Sequence, residues 1–119
     1  MDKRLERILP RVKKPARYTG GEYNAVKKDP AQVDTRIAFC FPDTYEIGMS
    51  HLGMKILYGV ANAREDTWCE RVFAPADDME ALMRANGEPL FALESGDPIK
   101  DFDMIGFTMQ YELSYTNIL

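Results

Sequence analysis

Few residues of this chain belong to the types that build covalent or metal frameworks. It has two cysteines, and they form no short-spaced pair. Cys40 and Cys69 both lie in apolar, strand-like surroundings. A disulfide scaffold is therefore not expected, and both read as reduced core thiols suited to a reducing cytoplasm. No apolar run approaches the roughly 20 residues that a membrane-spanning helix needs, so no membrane is expected as a partner. The charged start, residues 1–7, has no apolar stretch behind it and does not read as a secretory signal. There is no internal repeat and no low-complexity tract. Aromatic residues are sparse in the first 28 positions, where only Tyr18 and Tyr23 occur.

That last scarcity matters because the same segment is strongly basic. Residues 1–28 hold nine Lys/Arg against three acids, a net of +6, so the remainder carries −10 of the chain's overall −4. A basic lead on an acidic body can touch nucleic acid. With so few base-stacking aromatics, the favoured reading is an arm lying along an acidic surface of its own protein, and nucleic acid is not expected. Pro10, Pro15, the pair Gly20-Gly21 and Pro30 punctuate this arm, leaving room for a short helix over 2–8 and otherwise an extended course. Gly20-Gly21 is too short for a phosphate loop and lacks a following Lys-Ser/Thr. The expected division is an arm over 1–32 and an α/β domain over 33–119.

From Val33 onward the pattern is one of alternating elements. Residues 37–41 (IAFCF) form a continuous apolar run stopped by Pro42, as expected of a strand covered on both faces. Leu52, Ile56, Leu57, Val60 and Ala61 share a helical face behind Ser50, a candidate N-cap. Residues 68–73 read as a second strand. A second helix starts at Asp77 or Asp78, buries Met79, Leu82 and Met83, and closes at Gly87. Residues 90–93 read as a short strand, and 104–109 as the last. This β-α-β-α-β-β order favours a mostly parallel sheet with right-handed crossovers. A new helical pattern begins at Tyr111, and a doubly wound domain usually has five or more strands, so the chain reads as a truncated piece with an open sheet edge. Self-association through that edge is one expectation.

In open α/β sheets, ligands bind beyond the carboxyl ends of the strands. The loop after the first strand is the richest in functional groups: Asp43, Thr44, Tyr45, Glu46, Ser50 and His51, the only imidazole in the chain. His51 either contacts a cofactor or a neighbouring domain, or simply hydrogen-bonds its own loop. Asp43 and Glu46 are more readily solvated caps than an acid/base pair. Gly48 and Gly53 allow either a ligand's close approach or a tight turn and helix packing. Tyr45 either lines a pocket or packs on the sheet. The methionines read as core rather than as a binding surface. Thr108 and Gln110, at the carboxyl end of the last strand, belong to the same edge.

Residues 43–48 (DTYEIG) resemble the Asp-x-His-x-x-Gly motif of cobalamin-binding domains of the methionine synthase type, with Tyr45 where that family has its cobalt-ligating histidine. Residues 9–18 (LPRVKKPARY), 20–24 (GGEYN), 41–53 (FPDTYEIGMSHLG) and 102–117 (FDMIGFTMQYELSYTN) resemble a longer stretch. This is the amino-terminal region of uncharacterised radical S-adenosylmethionine proteins that carry a cobalamin-binding-like domain in front of the radical domain. The resemblance implies an incomplete flavodoxin-like or Rossmann-type, cobalamin-binding-like sheet with flanking helices behind an extended basic arm. It implies a cofactor edge built from Asp43, Tyr45, Gly48, Ser50, His51, Thr108 and Gln110. Cobalamin, if bound, is then held without histidine ligation at Tyr45, because a phenol with its pKa near 10 is a poor ligand at neutral pH. S-adenosylmethionine and a [4Fe–4S] cluster are expected only in the radical domain, whose CxxxCxxC motif this chain lacks, so no catalytic residue or metal site is assigned here. The radical domain of the same protein is the expected partner. Two alternatives remain open: a module for another cofactor such as a flavin, and a ligand-free docking domain.

Overall fold

The computed structural model describes residues 3–20, 22, 25–109 and 115–118. The apolar run stopped by Pro42 forms β1 (Thr35–Phe41), and the second run forms β2 (Thr67–Phe73). With β3 (Met104–Phe107) they make a parallel sheet in the order β2-β1-β3, in which Ala38 lies beside Glu70 on one side and Ile105 on the other. The helices are α1 (Lys3–Ile8), α2 (Tyr45–Met49), α3 (Leu52–Asn62), α4 (Asp77–Asn86) and α5 (Tyr115–Ile118). The β1-to-β2 connection runs to one side of β1, and the β2-to-β3 connection returns across to the other. The carboxyl ends of β1 and β3 therefore flank a topological switch point, where doubly wound sheets hold their ligands.

The two faces of the sheet are closed by different means. On one, Ala38, Cys40, Val72, Ala92 and Phe102 form an apolar cluster, and Leu90 links it to a second made of Ile8, Leu9, Val12, Tyr18, Met79, Met83 and Phe91. On the other face, α3 lies against β2. Asn62 exchanges two hydrogen bonds with the Cys69 backbone, at 2.9 and 2.8 Å. At the amino ends of the strands, Arg36 donates to fully buried Glu70 at 2.6 Å and to Asp97 at 2.9 Å, with its guanidinium over the Phe102 ring.

Four local expectations are revised. The arm is not simply extended. Besides α1 it contains 3-10 turns at Leu9–Arg11, Pro15–Tyr18 and Pro30–Gln32, and four of its apolar side chains are core. Polar bonds tie it to the rest of the chain. Arg17 pairs with Glu46 at 2.6 Å, the Lys13 backbone amide donates to Asp78 at 2.9 Å, and Lys28 Nζ donates to three carbonyls, those of Asn62, Arg64 and Thr67. Second, α3 turns Met54 and Tyr58 inward and leaves Leu52, Ile56, Leu57 and Val60 more than half exposed. Specific bonds override the apolar stripe here, because Tyr58 and Asn62 are both tied to the sheet side. Third, residues 90–93 form a single antiparallel bridge, Phe91 to Pro98, and no strand. Their amides are committed elsewhere, Leu93 N–H to Arg71 O and Ala92 N–H to Asp97 O. Fourth, the caps shift by one or two residues. His51 rather than Ser50 caps α3, and Ala76 precedes α4, whose first turn takes Asp77 and Asp78 at the positive end of the helix dipole. Gly87 closes α4 in the left-handed conformation at φ 67°, as expected.

Candidate functional site at the carboxyl edge of the sheet

Backbone bonds tie the loops beyond the strand ends to one another. The Asp43 carbonyl accepts from Ala74 N–H at 2.8 Å, joining the loop after β1 to the segment after β2. Thr108 N–H donates to Cys40 O at 3.1 Å, carrying the β1–β3 ladder one residue past the end of β3. The Thr108 hydroxyl is buried and finds no partner among the described residues. A buried hydroxyl left unsatisfied costs about 1–3 kcal/mol, so its position beside the switch point marks an unmet hydrogen-bonding demand. Gln110 lies outside the described residues.

Around the first loop, most polar groups are already engaged. Asp43 is half-buried and accepts from the amide of Thr44 at 2.8 Å. The phenol of Tyr45 donates to Glu22 at 2.5 Å, and its ring meets Phe73 edge-on at 5.5 Å. Burial, with the Glu22 carboxylate beside it, pushes this phenol up to about 12, so it stays protonated at neutral pH. Gly48 is buried, and a side chain there would run into the edge of the Phe73 ring. Its lack of a Cβ is thus used by packing between α2 and the end of β2. Ser50 is exposed and donates back to Glu46 O at 2.9 Å. His51 accepts from Met54 N–H at 3.1 Å through Nδ1, and its ring lies 5.2 Å from that of Phe41. The fold therefore brings Asp43, Tyr45, Gly48 and His51 together over the ends of β1 and β2. Thr108 stands on the β3 side of β1, and Ser50 points to solvent.

A buried ionic group behind the loop was not foreshadowed by any motif. Arg71 Nε donates to Glu94 at 2.6 Å and its Nη2 to Glu22 at 2.8 Å. Glu94 also accepts from the Arg71 amide and from the Tyr58 hydroxyl, both at 2.9 Å. Burial opposes the guanidinium charge, but Glu94 and Glu22 outweigh it and raise Arg71 above its ordinary value. Glu22 is held below the usual carboxylate range: burial pushes it up, and the bonds from Tyr45 and Arg71 more than offset this. Glu94 and Glu22 lie 23 and 49 residues from Arg71, so no local spacing could reveal the group; the hint in sequence is the charged pair Glu70-Arg71 within the β2 pattern.

Among the described residues no group of three or more His, Cys, Asp or Glu could hold a metal ion. Cys40 and Cys69 are both buried, and burial pushes each thiol up to about 12. They stand at strand positions of opposite parity, β1 Ile37 pairing with Cys69, so they do not fit a shared cluster. No described helix is long and apolar enough to cross a membrane. Tyr45, protonated and committed to Glu22, does not offer a metal-ligating oxygen at this edge.

Residues 53–119 match the family described as Radical SAM proteins, N-terminal. No curated protein and no solved structure matches the chain.

Proposed function

Because the chain belongs to the family of N-terminal regions of radical SAM proteins, we propose that it serves as a cobalamin-binding-type accessory domain of such an enzyme, with no catalysis of its own. The observation that carries this reading is the Thr108 hydroxyl, buried and without a partner among the described residues, beside the β1–β3 switch point. That is the place where a doubly wound sheet offers its edge to a cofactor. In this reading Thr108 and the Asp43 loop hold a corrinoid by its polar periphery. Tyr45 contributes no metal bond, since its proton is retained and committed to Glu22. A corrinoid bound there would supply methyl-transfer or radical-rearrangement chemistry, and this chain's residues would orient it and shield one face from water. S-adenosylmethionine and the iron–sulfur cluster belong, on this reading, to the radical domain. Two buried, unpaired thiols suit the reducing cytoplasm as its compartment.

The test is an absorption spectrum of the chain after incubation with hydroxocobalamin and removal of free ligand. We expect retained corrinoid in the wild type and in Tyr45→Phe, and loss in Thr108→Val, which keeps the shape and removes the hydroxyl. A colourless wild-type protein, or unchanged retention in Thr108→Val, would sink the proposal.

A second reading is favoured by a separate observation. Leu52, Ile56 and Val60 are 68%, 54% and 65% exposed at i, i+4 and i+8 on α3. Such an apolar stripe fits docking of the radical domain of the same protein. In the full-length enzyme, Ile56→Asp with Val60→Asp should abolish cross-links between α3 and that domain; unchanged cross-linking refutes it. Deleting residues 1–28 would be a poor test, because it strips Ile8, Leu9, Val12 and Tyr18 from the core.

A further inference from the structure

Behind the first loop, on the α3 side, lies a cavity of about 530 Å³ whose floor is Arg71. Thr108 does not line it, but Gly48 and Met49 of α2 do, so it adjoins the first loop on the side away from β3. Its volume falls within the range of small-molecule sites, roughly 300–1,000 Å³. Val26, Met54 and the ring of Tyr58 supply apolar walls, suited to the faces of a flat ring.

Glu22 and Arg71, bonded to each other, break this apolar lining. Arg71 spends Nε on Glu94 and Nη2 on Glu22, but among the described residues Nη1 reaches only the thioether sulfur of Met49, at 3.1 Å. A thioether is a weak acceptor, so this charged donor is under-used. Glu22 accepts from Tyr45 on one oxygen, from Arg71 on the other, and from its own backbone amide. A carboxylate has about four acceptor sites, so one is left to spare. The cavity thus offers a donor beside an acceptor on a mostly apolar surface. Charge selects further: Arg71 and Lys55 in the lining are matched by Glu22 beside them and by Glu94 behind Arg71, so the site carries no net charge to draw an ionic ligand.

We propose that this cavity binds a neutral, planar heterocycle through a lactam edge. The ring C=O would accept from Arg71, and the adjacent ring N–H would donate to Glu22. Oxo-pyrimidines, oxo-purines and the isoalloxazine-type ring system carry such an edge.

Gly59 provides an independent handle. It lines the cavity, sits inside α3, and a side chain added there meets nothing within 4 Å. Gly59→Leu should fill the space while improving helix propensity.

The experiment is equilibrium titration of the full chain with uridine, inosine and lumichrome. Two matched controls lack half of the edge: 3-methyluridine has no ring N–H, and adenosine has no ring C=O. At least one lactam probe should bind saturably. The controls should bind about tenfold more weakly or worse, the loss expected for one hydrogen bond to a charged group. Gly59→Leu should abolish binding without lowering the melting temperature. The proposal is overturned if no lactam probe binds, if 3-methyluridine and adenosine bind as well as uridine and inosine, or if a folded Gly59→Leu still binds. The comparison of uridine with 3-methyluridine is made on the wild-type chain, so it tests the proposal even if the variant fails to fold.

Discussion

Gly48 and Gly59 occupy neighbouring helices, and the structure demands opposite outcomes when each is changed to alanine. At Gly59 the added methyl meets nothing within 4 Å. The substitution therefore only removes backbone freedom from the unfolded chain, a gain of about 0.5–1 kcal/mol. At Gly48 the same methyl would overlap the Phe73 ring edge. Overpacking of this kind costs about 1–3 kcal/mol. Swinging the ring aside also breaks the edge-on contact with Tyr45, a pair worth about 0.5–1.5 kcal/mol. Set against a helix-propensity gain of at most about 1 kcal/mol, Gly48→Ala should lose about 1–3 kcal/mol. For a domain of this size 1 kcal/mol moves the melting temperature by about 4 °C. Thermal unfolding followed by circular dichroism should then show Gly59→Ala about 2–4 °C above wild type and Gly48→Ala about 4–12 °C below it. Equal melting of the Gly48 variant and wild type would refute the packing argument. A destabilised Gly59 variant would show that the space beside α3 is occupied.

Three further outcomes follow from named contacts. His51→Ala should cost about 1 kcal/mol in urea unfolding through loss of the α3 cap, with His51→Asn recovering most of it, since a short side-chain acceptor can replace Nδ1. Cys40 and Cys69, both raised to about 12 by burial, should resist a thiol-specific disulfide reagent at pH 8 and react only on unfolding; rapid labelling of the native chain would contradict their placement. Glu22 is depressed below its ordinary 4.5, so near and below that pH the unfolded chain binds the extra proton. Its contribution is complete above pH 4.5 and is lost as pH falls through the folded value. Glu94, raised by burial, acts with the opposite sign. The test is therefore the difference between wild type and Glu22→Gln, and stability curves that run parallel from pH 6 to pH 3 would refute it.

Where sequence succeeded and failed follows from the range of the forces involved. β1 was legible because five consecutive apolar residues ending at Pro42 satisfy a local rule, and β2 and α4 were legible for similar reasons. The parallel order followed from their alternation. α3 misled because its strongest apolar stripe, Leu52, Ile56 and Val60, is the one left facing outward, while Tyr58 and Asn62 choose the inward face through bonds to Glu94 and Cys69. Residues 90–93 have strand composition, but their amides are claimed by Arg71 and by the turn at Asp97. In both cases partners distant in sequence outweigh local propensity.

The same contrast runs through the candidate site. Asp43, Tyr45, Gly48 and His51 were found because a single loop carries them, yet in the structure each is engaged by a neighbour: Thr44, Glu22, Phe73 and Met54. Among the described residues, groups with capacity to spare include Thr108 Oγ1, one residue past β3, and Arg71 Nη1, on β2. Thr108 is a candidate from sequence, within the 102–117 stretch, whereas Arg71 lies in no motif. A loop rich in functional residue types is conspicuous in sequence because such residues also build loops, through caps, back-bonds and ring contacts. Ligand capacity is what remains after those internal bonds are made, and only the folded arrangement shows the remainder. If that reasoning holds, Thr108→Val should impair ligand retention with little loss of fold stability, and His51→Ala should do the reverse. Paired melting and retention measurements on these two variants would separate binding from scaffolding, and a loss of retention in His51→Ala at unchanged stability would return the site to the loop.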